Sequence, residues 1–207
     1  LGDVYKRQLV NGSPDDLQTN DTLDLSHVLC FEPLHGTYSC GGEGDDFHTF
    51  NEVTKALEEC GVNGPTTISI ADGHYYEQLH VRSIPGASPT DTVVFTSASS
   101  DSAAVWLHFM PGTSSQYNAV VYLDDSCKYI SITDLSLSHR VPGPSNQGIF
   151  VGLYGHAINV FRNHIVGNPN DDDQLGIWIR PNVGGDFRIE ENRVDYGASG
   201  IGFNGSS

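Results

Sequence analysis

The residues of this chain whose types and spacing together could do chemistry fall in a few places. Asp124 and Asp125 are adjacent carboxylates, although Asp-Asp-Ser is also what a turn between two strands prefers. Asp171, Asp172 and Asp173 stand together in a polar loop, with Arg180 after the next apolar run. Hard oxygen ligands at such close spacing suit calcium. Adjacent carboxylates do not by default point at one centre, and a solvated acidic loop is what such a run usually forms. Tyr154 and Trp178 offer aromatic faces that suit the apolar faces of sugars, and they are the candidates for carbohydrate binding. Trp178 lies between Ile177 and Ile179, so if those two point inward, alternation puts Trp178 outside. Trp106 lies in a similar run and can be read either way. The 9 histidines are scattered, with no His-x-x-x-His or Glu-x-x-His pattern for a metal.

The elements that must carry these residues repeat. Gly148-Ile149-Phe150-Val151 recurs as Gly176-Ile177-Trp178-Ile179 and as Gly200-Ile201-Gly202-Phe203, with starts 28 and then 24 residues apart. Ile132, Val160 and Ile189 are spaced by 28 and 29 residues. Short apolar alternations at a period in the twenties, separated by Gly and Asn, indicate a solenoid, in which each turn buries its inward face only by stacking on the next. Asn163 and Asn192 take equivalent places in successive repeats and read as a ladder of amides bonding one another and the main chain. Extra residues collect at 141–147 and 167–175, on the flank where solenoids place insertions. Upstream, Thr66–Ile70, Tyr76–Val81, Val93–Thr96 and Val105–Phe109 read as further strands. One helix is expected, from Phe47 to about Glu59, capped by Asp45 or Asp46 and stopped by Gly61. Its apolar stripe of Phe47, Phe50, Val53, Ala56, Leu57 and Cys60 suits a lid over the open end of the first coil. The fold class expected is therefore all-β, a parallel β-helix with an N-terminal amphipathic capping helix.

Composition narrows the partners. Across 207 residues, 10 Lys and Arg face 26 Asp and Glu, a formal net charge of −16. Such a surface repels phosphate backbones and anionic lipid, so no nucleic-acid partner is expected. No run of about 18 apolar residues is present, so no membrane span is expected either. The four cysteines, Cys30, Cys40, Cys60 and Cys127, form no Cys-x-x-Cys pair. Cys40 and Cys60 flank the helix and could close a disulfide in an exported protein; free thiols are the other reading. Residues 1–8 include Asp-Val-Tyr-Lys-Arg-Gln, which a transposon end used in sequencing libraries encodes, and they read as an artefact. Residues 9–35 read as a linker or the tail of a preceding module. Residues 36–207 read as the β-helix, cut at its C-terminus just after a fresh coil begins.

A resemblance follows from several phrases taken together. They are Gly36-Thr37-Tyr38 with Gly41-Gly42, Asp46-Phe47, Thr49-Phe50, Ala56-Leu57, and Cys60-Gly61-Val62 with Gly64-Pro65. Asp72-Gly73-His74-Tyr75 with Glu77-Gln78-Leu79, Gly86-Ala87-Ser88 and Phe95–Ser99 continue them. Over residues 36–207 the chain resembles the pectin-lyase-like, right-handed parallel β-helix domains of large bacterial secreted and surface proteins. The resemblance implies a secreted or cell-surface location and a carbohydrate or cell-surface partner. Its members include polysaccharide lyases, glycoside hydrolases and adhesive proteins, so it does not choose an activity. A polygalacturonase-like site would take an Asp-Asp pair, a Gly-His-Gly and an Arg-Ile-Lys, and here Asp124-Asp125, Gly155-His156 and Arg188-Ile189 appear in that order. Ala157 and Glu190 depart from that pattern, and the upstream Asn-Thr-Asp is missing. A pectate-lyase-like site would use calcium on Asp171–Asp173 with Arg180 as base. The expectation is a binding module without catalysis of its own, with a polysaccharide-degrading enzyme and a structural stalk as alternatives. No cofactor is required by it, and calcium is the one metal the acidic loop could take.

Overall fold

The computed structural model describes residues 9–10, 13–14, 32–109, 119–124, 126–139, 147–151, 156–167, 175–179, 186–196 and 199–203. Two short strands, β1 (Leu9–Val10) and β2 (Ser13–Pro14), pair antiparallel. Then come β3 (Leu34–Cys40), the helix α1 (Phe50–Cys60) and β4 (Val62–Ile70). With β5 (Gly73–Tyr75) and β6 (Leu79–Val81), β4 forms the first of a series of strand triplets. The second is β7 (Val93–Ser97), β8 (Val105–Phe109) and β9 (Val121–Leu123), and the third β10 (Lys128–Thr133), β11 (Ser136–His139) and β12 (Gln147–Val151). The fourth is β13 (His156–Phe161), β14 (His164–Val166) and β15 (Leu175–Ile179), and the last β16 (Phe187–Glu190), β17 (Arg193–Asp195) and β18 (Ser199–Phe203).

First strands stack in parallel as sheet 1, in the order β16-β13-β10-β7-β4-β3. Second strands form sheet 2, β17-β14-β11-β8-β5, and third strands sheet 3, β18-β15-β12-β9-β6. This is a right-handed parallel β-helix. The repeat phase read from the sequence is the pairing register: Ile149 pairs with Ile177 and Ile177 with Ile201, while Ile132 pairs with Val160 and Val160 with Ile189. Inward columns such as Ile68, Phe95, Ile132 and Val160 are fully buried. Each such side chain taken from water contributes about 1.5–3 kcal/mol, so the core is one continuous stack.

Turns between sheets 1 and 2 hold the coils in register. Asp134, Arg162 and Glu191 occupy the left-handed region there, with φ near 57°, 53° and 55°. Behind two of them the asparagine ladder is present. The Asn163 amide donates to Ile132 O (2.9 Å) and Asn192 Oδ1 (3.1 Å), and Asn192 donates to Val160 O (2.8 Å). Leu135 takes the equivalent place one coil earlier and ends the ladder, its N–H donating to Asn163 Oδ1 (3.1 Å). Outside the ladder, Arg162 grips Asp134 with two 2.7 Å hydrogen bonds. Burial pushes the Asp134 carboxyl up, but the Arg162 fork and the hydroxyls of Thr133 and Thr96 outweigh it and hold it below the ordinary carboxylate value.

The helix lids the first coil with Phe50, Val53, Ala56 and Leu57, all buried. It begins three residues later than Phe47, with Thr49 as N-cap, because the aspartates expected to cap it are engaged elsewhere. Asp46 accepts from Ser39 N (2.8 Å) and Ser39 Oγ (3.0 Å), Asp45 accepts from Gly42 N, and Phe47 bridges to Cys40. The run Tyr76–Val81 is likewise not one strand. Glu77 turns away to accept from Phe50 N at the helix start (3.0 Å), and Gln78 donates to Ala119 O (2.7 Å). The Cys40–Cys60 disulfide is not formed. Cys60 is disulfide-bonded with Cys40 and Cys127 both free and buried, since Cys40 points into the core at the end of β3.

Candidate functional site

Alternation gives each sheet an outer face, and the three differ in chemistry. On sheet 1 the outward column Thr67, Val94, Ser131, Asn159 and Arg188 is mostly short and polar. On sheet 2 the register aligns His74, Trp106, Ser136, His164 and Arg193 in one column. Beside it runs His108, Ser138, Val166 and Asp195. On sheet 3 it aligns His80, Tyr122, Trp178 and Gly202 through the register of β12. Aromatic and imidazole rings thus concentrate on sheets 2 and 3.

Sheet 2 carries the more open array. Trp106 lies within 13° of the plane of His74 and within 10° of that of His108, at centroid distances of 6.2 and 5.9 Å. Tyr76, 61% exposed just past β5, lies 5.1 Å from His108 at 22°. His74 and His108 are nearly coplanar in orientation (5°), and their 2.9 Å Nδ1–Nε2 contact spans most of the 5.2 Å between centroids. The two rings therefore meet nitrogen to nitrogen, one donating and the other accepting. Across the small Ser136, Trp106 meets His164 edge-on at 5.8 Å. Several polar atoms of this surface are engaged within it. Trp106 Nε1 donates to Ala103 O (2.9 Å), and His164 Nε2 lies 2.8 Å from Asp195 Oδ2. Asp195 also takes Arg193 (2.8 Å), and the Arg193 and His164 hydrogen bonds, in that order, hold its carboxyl below the ordinary value. What the array presents is ring surface.

Sheet 3 is more closed. Ile177 and Ile179 are buried, so Trp178 does point outward as alternation required, but it is half-buried and packs with Tyr122 against Ala119. Its Nε1 is buried, with no hydrogen-bond partner among the described residues. At the helix end of this column, His80 meets Tyr122 edge-on at 5.0 Å, and burial followed by the Arg82 charge pushes its pKa down. A polar groove of about 440 Å³ opens there between α1 and β6, lined by Lys55, Glu58, Gln78, His80 and Arg82 among others.

The described residues of the hydrolase pattern come from two different sheets. Asp124 follows β9 in sheet 3 and lies 3.8 Å from His80 Nε2. His156 starts β13 and Arg188 sits in β16, both in sheet 1, and Arg188 is paired with Glu190 at 2.8 Å. Asp125, Tyr154, Arg180 and the acidic run Asp171–Asp173 lie outside the described residues. Among the described residues, no group of three or more His, Cys, Asp or Glu could hold a metal ion. No helix among them is long and apolar enough to cross a membrane.

No protein-family model, curated protein or solved structure matches this chain, so the reading rests on its own geometry. Sequence reasoning missed the sheet 2 array because it took the histidines one at a time. The signal was there in the coil alignment: His74, Trp106, Ser136, His164 and Arg193 share one register position despite unequal coil lengths.

Proposed function

We propose that this chain is a carbohydrate-binding β-helix module of a secreted or cell-surface protein, holding an extended polymer along the outer face of sheet 2. The observation that carries this is the near-parallel array of Tyr76, His108, His74 and Trp106, drawn from two coils and continued by His164 two coils further on. Rings at fixed spacing on a rigid sheet lose little freedom on binding, and aromatic faces suit sugar C–H faces. The disulfide at Cys60 supports an oxidising compartment, and with it the secreted location. The capping helix, the asparagine ladder and the three-sheet coil support kinship with pectin-lyase-like domains, whose members include binding modules without catalysis.

Co-sedimentation with insoluble polysaccharides tests this, comparing the protein with a Tyr76→Ala/Trp106→Ala variant of unchanged circular dichroism. Retention by at least one polysaccharide, weakened about tenfold in the variant, is expected, with no new reducing or unsaturated ends in the supernatant. Retention that survives the double substitution would move the binding face off sheet 2.

A further inference from the structure

Resting on that reading, we infer that the polymer is a neutral polysaccharide, gripped through its C–H faces, and not a polyuronate. Three independent observations on sheet 2 lead there. The first is charge. Among the described residues, the strands of sheet 2 carry one Lys or Arg, Arg193, and its guanidinium is already bound to Asp195 (Nη2–Oδ2 2.8 Å, Nε–Oδ1 3.0 Å). Among the described residues of these strands, a uronate chain laid across the face would meet no unengaged Lys or Arg. Carboxylates stand where the sheet 2 strands begin: Asp72 beside β5, accepting from Ser99 Oγ (2.8 Å), and Asp101 ahead of β8, accepting from Ala103 N (2.8 Å). With a net charge of −16 behind them, a polyanion is disfavoured at both short and long range.

The second observation is how polar atoms are used. His74 and His108 bond each other, His164 bonds Asp195, and Trp106 Nε1 bonds the backbone at Ala103. The polar atoms in these contacts are turned to neighbours in the protein, and the array is built of rings. The third is continuity. Over the small Ser136, which is fully buried, Trp106 and His164 meet at 5.8 Å, so the rings run on across β11. A chain lying along the coil axis can touch Tyr76, His108 and Trp106 together and His164 beside them. One source of ligand fits all three: a neutral glycan chain with flat, hydrogen-lined faces.

The test is affinity electrophoresis of the whole chain in gels containing neutral glucans, mannans or xylans, and in parallel gels containing polygalacturonate or alginate with and without calcium. Each is run at low and high salt, alongside the Tyr76→Ala/Trp106→Ala variant. Retardation by at least one neutral polymer is expected, little changed by salt and weakened about tenfold in the variant. Retardation by a polyuronate alone, lost at high salt and lost in the variant, would overturn the neutral class while leaving the sheet 2 reading in place. Retardation by no polysaccharide at all would overturn the carbohydrate reading itself. Neutral binding untouched in the variant would overturn the site.

Discussion

Asp134 shows how a residue can look like chemistry and serve architecture. It has a backbone in the left-handed region, a nearly buried carboxylate, and a two-point bond to Arg162, yet its side-chain partners Arg162, Thr133 and Thr96 lie in the stacked turns and the strand ends beside them. Its folded-state pKa lies below the unfolded one, so its contribution to stability is fully present above the ordinary carboxylate value of about 3.9 and drains as pH falls through the folded value. The urea midpoint gap between the protein and Asp134→Asn should therefore be widest at neutral pH and close progressively below about pH 4. A gap that stays constant into acid would show that the carboxylate charge plays no part. Legibility at this scale was mixed. Asn163 and Asn192 were readable as a ladder because both fall at the same phase of the repeat, and an inward turn amide has few other uses. Trp178 was readable as outward-facing but not as half-buried, since Ala119 reaches it from a different coil. Trp106 could not be oriented until its register with His74 and Ser136 was known.

At the scale of elements, the sequence located the helix and its buried stripe but placed its start at Phe47. Local rules favour an aspartate cap, and both Asp45 and Asp46 were available. Ser39 on β3, near only once β3 and α1 have packed, took Asp46, the Gly42 N–H took Asp45, and Thr49 was left to cap the helix. The opposite end is more rigidly determined. Gly61 has φ near 69°, and a Cβ there would stand 2.5 Å from Pro85 O, which itself accepts from Val62 N (2.8 Å). Both strain and contact thus fall where the helix joins the first coil. Gly61→Ala is expected to cost at least about 1–3 kcal/mol, read as a lowered midpoint in thermal or urea unfolding. A variant as stable as the parent would mean that the junction relaxes freely, and that the cap is less tightly tied to the coil than its hydrogen bonds indicate.

The described residues build a stack of coils with three chemically distinct outer faces, in a chain of net charge −16. Its period, strand content and end cap were legible because stacking imposes the same demand on every coil, so the pattern is written several times over. Which outer face gathers rings was not, because outward residues are unconstrained by stacking and coils of unequal length hide their alignment. The core also fixes the redox pattern. Burial, with nearby Glu77, Asp45 and Glu52 adding to it, pushes the Cys40 thiol up to about 12, and Cys127 is buried against the carbonyls of Val81 and Arg82. Alkylation of the native, unreduced protein should leave both thiols unmodified, and label both after unfolding without reductant while sparing Cys60. Rapid native labelling of Cys40 would show that the cap opens readily.

The central claim, that ligand is held on sheet 2, can be read from the two tryptophans separately, because Trp106 lies on sheet 2 and Trp178 on sheet 3. Tryptophan emission of the Trp178→Phe and Trp106→Phe variants is followed during titration with a soluble neutral polysaccharide. A saturable change that persists in Trp178→Phe and vanishes in Trp106→Phe is the predicted result. A change carried by Trp178 alone, or none in either variant, would contradict it.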